Sequence, residues 1–204
     1  MRVLFVQHDH VSPLGPVGER FAHHGFDIDT HLVVAQSDFS TPNVVTAFPD
    51  VADYDVLVPL GAPWGAWDDA CIGNWLLPEI DWLRGAVSSR MPVLGICFGG
   101  QLVARAMGGS VAPAPRGEIG WTSIWSDRPD LVGEGPWFQF HYDRWTLPPD
   151  GSRSRALPPP RRHSRSSAHS PCSFTPNSTP RGFRGGLTGA EHPRCATTAS
   201  TPTS

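Results

Sequence analysis

Short apolar runs alternate with helix-length amphipathic segments along the first half of the chain. Val3-Leu4-Phe5-Val6 is a continuous run of the kind found in strands buried on both faces. Residues 16–24 follow as a helix, with Gly25 as its C-cap, and residues 28–34 as a second strand. Residues 42–53 carry no clear period. A third strand covers residues 55–60 and runs into Gly61. Pro78 suits the first turn of a helix, and residues 79–84 after it carry apolar side chains at helical spacing. Residues 93–96 predict the central strand and residues 101–107 a helix beyond it. This alternation predicts an α/β domain in three layers, with a mostly parallel sheet covered on both sides. Residues 121–125 and 137–141 alternate more and read as later, antiparallel strands.

Composition divides the chain. Residues 1–150 hold 8 Arg against 18 acidic residues, net −10, and all 8 Trp. Residues 151–204 hold 8 Arg against one acid, net +7, and no Val, Ile or Trp. A segment built from Pro, Ser, Arg, Thr and Gly cannot bury enough apolar surface to offset its ordering entropy. The expected organisation is therefore a folded domain over residues 1–149 and a disordered tail over 150–204. The net charge of −3 for the whole chain gives no field pointing to nucleic acid. No apolar run approaches membrane-spanning length, and there is no signal-peptide pattern, so a cytoplasmic protein is expected. Cys71, Cys97, Cys172 and Cys195 lack C-x-x-C spacing, which predicts free thiols with no zinc site or disulfide framework.

One of these thiols carries the candidate chemistry. In Val93-Leu94-Gly95-Ile96-Cys97-Phe98-Gly99-Gly100-Gln101 an apolar strand ends in glycine, a cysteine follows, and two glycines open a helix. That is the layout of a nucleophile elbow with sulfur in place of oxygen. The glycines leave room for a strained approach, and a helix N-terminus beneath the sulfur is expected to favour thiolate. The Phe98 N–H would face the oxygen of an attacked carbonyl. Gly61-Ala62-Pro63, at the carboxyl end of the preceding strand, lies where a crevice forms in open parallel sheets. Its Gly61 or Ala62 N–H would be the second oxyanion donor. His8 and His10 read as ordinary polar residues at the crevice edge.

These residues resemble a known family. The segment from Gly95 to Gln101 is similar to the nucleophile motif of the class I, or triad, glutamine amidotransferases. Gly61-Ala62-Pro63 resembles their oxyanion loop. Gly117-Glu118-Ile119-Gly120-Trp121 and the segment from His141 to Pro148 resemble two later substrate segments, as in the amidotransferase domain of GMP synthetase. The resemblance implies a flavodoxin-like open sheet, L-glutamine as substrate, Cys97 as nucleophile, and Gln101 and His141 as substrate-binding residues. It implies no cofactor or metal, and a synthetase partner or domain that receives ammonia. Two other readings stay open: a cysteine hydrolase of gamma-glutamyl peptides, and a non-catalytic interaction domain with an inert cysteine.

The family's base and its carboxylate, carried by a Q-F-H-P-E-like motif, are missing from the tail. Glu191-His192-Pro193 has the letters in the wrong order, and His141 follows Cys97 too soon to match the family's base. The codons offer an account. Pro171-Cys172-Ser173-Phe174-Thr175-Pro176-Asn177-Ser178, read with each codon begun one nucleotide earlier, permits Leu-Gln-Phe-His-Pro-Glu-Leu. The expectation is a frame slip near residues 149–152, as if one nucleotide were missing, leaving the chain without its acid–base pair and inactive.

Overall fold

The computed structural model describes residues 1–123, 129, 133 and 135–146. The tail from residue 150, with the disorder and frame expected for it, lies outside the described residues.

Strand β1 (Arg2–Gln7) pairs in parallel with β2 (Asp27–Leu32) on one side and β3 (Val56–Pro59) on the other. Residues 92–96 then run parallel beside β3. The Leu57 N–H donates to Pro92 O, the Leu94 N–H to Leu57 O and the Ile96 N–H to Pro59 O, at 2.9–3.0 Å. The spatial order is thus β2, β1, β3 and then residues 92–96. The segment expected as the central strand is instead the last in the described order, and Leu94 is 46% exposed at that edge.

Alternation along the strands sorts the core into two layers. Val3, Phe5, Val58 and Leu60 pack with Leu14, Val17 and Phe21 around α1 (Gly15–His23). Leu4, Val6 and Leu57 face the opposite way, onto α2 (Asp69–Ser88) and α3 (Phe98–Ala106). Helices on both faces of a parallel sheet make the three-layer α/β architecture predicted from the pattern. Gly25, at φ +76°, ends α1 as expected.

Helix α2 departs from expectation. It starts at Asp69, where the Asp68 carboxylate accepts from the Cys71 N–H at 3.2 Å, and Pro78 sits in its interior. The apolar stripe Ile72, Trp75, Leu76, Ile80 and Leu83 continues past the proline and is buried along its length. That burial, with the cap at Asp68, outweighs the hydrogen bond the proline removes. Trp75 and Trp82 donate to Pro42 O and Pro49 O at 2.8 Å, which ties the irregular residues 42–53 onto the helix.

Beyond α3, β4 (Ser110–Thr122) and β5 (Trp137–Thr146) pair antiparallel, with a register shift between Pro113 and Glu118. They are antiparallel additions as predicted, and longer than the pattern suggested. No helix among the described residues is long and apolar enough to cross a membrane.

Candidate active site

Cys97 stands at the junction of residues 92–96 and α3, with φ +53° and ψ −112°. A non-glycine residue in that region is strained, at a cost of about 1–3 kcal/mol, and persists only where its surroundings enforce it. The enforcement is visible. The Gly99 N–H donates to Leu60 O and Ile96 O at 2.9 and 3.0 Å, and the Gln101 N–H to Cys97 O at 3.2 Å. A Cβ on Gly99 would overlap the Pro59 carbonyl, and one on Gly95 would stand 2.7 Å from the Gly100 backbone. The glycines therefore let the bend close against the end of β3.

The oxyanion loop sits beside the bend. A Cβ on Gly61 would lie 3.9 Å from the Cys97 Cβ. Among the described residues, neither the Gly61 nor the Ala62 N–H hydrogen-bonds to another backbone group. Arg105 donates to Ala66 O at 2.6 Å and to both carboxylate oxygens of Asp69 at 2.7 and 3.1 Å.

The sulfur is not the activated thiolate that the helix terminus alone predicted. Burial pushes the Cys97 thiol up to about 11, the Phe98 N–H donating to the sulfur pulls it down, and the nearby Asp143 carboxylate pushes it up further. Desolvation of the anion exceeds what one helix terminus returns. Among the described residues no histidine hydrogen-bonds to Cys97. Cys97 is a free thiol, as expected.

Strand β5 presents a polar face to the interior. Gln139, His141 and Asp143, two apart, are all buried. Asp143 accepts from Trp67 Nε1 at 2.9 Å. His141 Nε2 lies 3.2 Å from Glu118 Oε2 across the β4–β5 ladder, too poorly aligned to be a hydrogen bond. Gln101 is buried in α3, and its Oε1 has no hydrogen-bond partner among the described residues. Cys97, Phe98 and Gly61 are thus brought together. Asp143, given no role from the sequence, is close enough to act on the sulfur; the alternation of polar residues along 139–143 was its signal.

His8 corrects another expectation. It is not at a crevice edge but fully buried, paired through Nε2 with both oxygens of Glu79 at 3.1 and 3.2 Å. The signal was an acid at position 79, inside an otherwise apolar stripe. A buried carboxylate needs a partner. His10 packs edge-on against Phe39, with its Nδ1 buried and unpartnered. Among the described residues no cluster of His, Cys, Asp and Glu could hold a metal ion.

Residues 71–147 match the family Glutamine amidotransferase class-I. The chain is 40% identical over 84 residues to glutamine amidotransferase-like protein chyE of Penicillium rubens, covering 40% of this chain and 34% of that one. It is 28% identical over 138 residues to a glutamine-hydrolyzing GMP synthase subunit of Sulfurisphaera tokodaii, covering 60% and 68%. The crystal structure of a glutamine amido transferase from Methylobacillus flagellatus superposes with TM-score 0.60 at 29% identity, over 72% of this chain and 58% of that one. The matches span about a third or less of the length of the first curated relatives. With the three-layer sheet, the strained cysteine bend and the loop beside it, these matches show a chain similar to the class-I glutamine amidotransferases, whose family model it matches over residues 71–147.

Proposed function

We propose that Cys97 is the nucleophile of a glutaminase half-reaction, and that the chain as its sequence stands performs that reaction negligibly. The observation that carries the first part is the cysteine at positive φ with an open loop of main-chain donors beside it. In the reaction, Cys97 Sγ bonds to the side-chain amide carbon of L-glutamine, and the carbonyl oxygen becomes an oxyanion. The Phe98 N–H and an N–H of the Gly61 loop receive that charge. The amide nitrogen takes a proton and leaves as ammonia. Water then cleaves the glutamyl thioester to glutamate and free thiol. Gln101, whose buried Oε1 has no donor among the described residues, and His141 on the polar face of β5 suit binding of the substrate's polar groups.

The second part follows from the thiol. With Cys97 up at about 11 and no described histidine bonded to it, attack has no base among the described residues. Loss of a positioned acid–base group costs on the order of a hundred- to ten-thousand-fold. The shifted reading across residues 171–178 permits the absent His and Glu, which supports a slip of frame near residues 149–152 and a native domain extending past 149. Ammonia would go to a synthetase partner, a reading supported by the similarity to a glutamine-hydrolyzing component of GMP synthase.

Ammonia release from glutamine tests both parts. The chain as written is expected to release almost none. The product of the gene with one nucleotide inserted near codon 150 is expected to turn over, and to lose turnover with Cys97→Ala. Equal turnover by both products would overturn the frame account. No turnover by the restored product on glutamine, with cleavage of gamma-glutamyl peptides, would replace glutamine as the substrate.

A further inference from the structure

His8 and Glu79 form a buried ion-pair-like couple that the half-reaction above does not use. Both side chains are fully buried. The imidazole stacks on Trp75 with centroids 5.6 Å apart and meets Phe98 edge-on at 4.8 Å. Phe98 is the residue after the nucleophile. An apolar side chain at position 79 would continue the α2 stripe without the desolvation that a carboxylate requires. The couple must therefore be read through what its other end touches.

That other end is the oxyanion loop. His8 Nδ1 lies 3.1 Å from Gly61 O. A carbonyl oxygen only accepts, so Nδ1 carries the proton and donates. Nε2 faces both Glu79 oxygens, and the Nδ1–H is kept whether Nε2 donates or accepts there. Both ring nitrogens are engaged, so His8 is not placed as a base for Cys97. In a trans peptide the C=O and the following N–H point in opposite directions. Holding Gly61 O toward His8 turns the Ala62 N–H to the other side of the peptide plane. That N–H makes no hydrogen bond to another backbone group among the described residues. A donor on the carbonyl also polarises the peptide and strengthens its N–H.

We propose that His8 and Glu79 are positioning residues: Glu79 fixes the His8 tautomer, and His8 locks the Gly61–Ala62 peptide so that the Ala62 N–H serves as the second oxyanion donor. The inference rests on the reading of Cys97 as an acyl-accepting nucleophile.

The test swaps the two ends of the imidazole in the full chain. Asn at position 8 keeps an N–H where Nδ1 stood and loses the reach to Glu79. Gln keeps the reach to Glu79 and loses the donor to Gly61. The probe is the γ-aldehyde of glutamate, whose hemithioacetal with Cys97 needs oxyanion donors and is read as a new 13C resonance of the aldehyde carbon. Iodoacetamide, which alkylates the sulfur without charging an oxygen, reports the integrity of the bend. Relative to wild type, His8→Gln is expected to weaken the adduct about tenfold, and His8→Asn by less than about threefold, the scale of one hydrogen bond. Iodoacetamide rates should stay alike in both. Glu79→Met, which fills the space but leaves Nε2 without a partner, is expected to weaken the adduct about threefold or more with iodoacetamide rates unchanged, and carries the test if a position-8 variant does not fold. The reverse order, Asn worse than Gln, or parallel loss of adduct and alkylation, would show a merely structural couple and overturn the inference. Wild type that is alkylated but forms no adduct would overturn the nucleophile reading itself, and this one with it.

Discussion

The pH dependence of alkylation at Cys97 follows directly from the surroundings of the sulfur. Burial raises the thiol, Asp143 raises it further, and only the Phe98 N–H opposes them, leaving it at about 11. At pH 7 about one sulfur in ten thousand is then a thiolate, and the thiolate is the reactive species. The rate with iodoacetamide, followed by intact mass and localised to Cys97 by peptide mapping, should rise about tenfold per pH unit between pH 6 and 9 without a plateau. Asp143→Asn can still accept from Trp67 but removes the adjacent negative charge, so the rate at pH 8 should rise about threefold or more. A cysteine served by an imidazole behaves differently, with a rate already flat near neutrality. A flat profile from pH 6 to 8 in the chain as written would refute the reading that burial and Asp143 set the titration of this thiol.

Three stability predictions complete the set, each read by urea denaturation. Gly99→Ala places a methyl into the Pro59 carbonyl and should cost about 3 kcal/mol, the upper range for overpacking. Glu79→Ala leaves a buried imidazole without its partner and should cost about 3–5 kcal/mol. Asp68→Ala removes the cap of α2 and should cost about 1 kcal/mol, whereas a helix beginning at Pro78 would not register the change.

The fold was legible where the period of the pattern had one reading. Four apolar residues in a row at Val3–Val6, rich in β-branched and aromatic side chains, suit a strand with two covered faces, and the glycine after α1 suits its stop. The elbow was legible because the bend needs glycine at positions 95 and 99 for steric reasons that survive any change in the rest of the chain. The start of α2 was misread because a local rule about proline outweighed a stripe already running from Ile72. Tertiary burial reversed that order. The protonation of Cys97 was misread for a similar reason. A helix terminus is local and visible in sequence, but desolvation and the Asp143 carboxylate come from elements brought in by the fold. The His8–Glu79 couple joins residues far apart in the chain, and neither alone announces the other.

The central claim is that the Cys97 sulfur takes an acyl group from glutamine, and a chloroketone analogue of glutamine tests it most directly. Incubated with the full chain at pH 8.5, it should add one adduct, on Cys97 alone, at a rate suppressed by free L-glutamine and absent in Cys97→Ala. Labelling that glutamine does not slow, or that falls on other cysteines while iodoacetamide still reaches Cys97, would contradict the account.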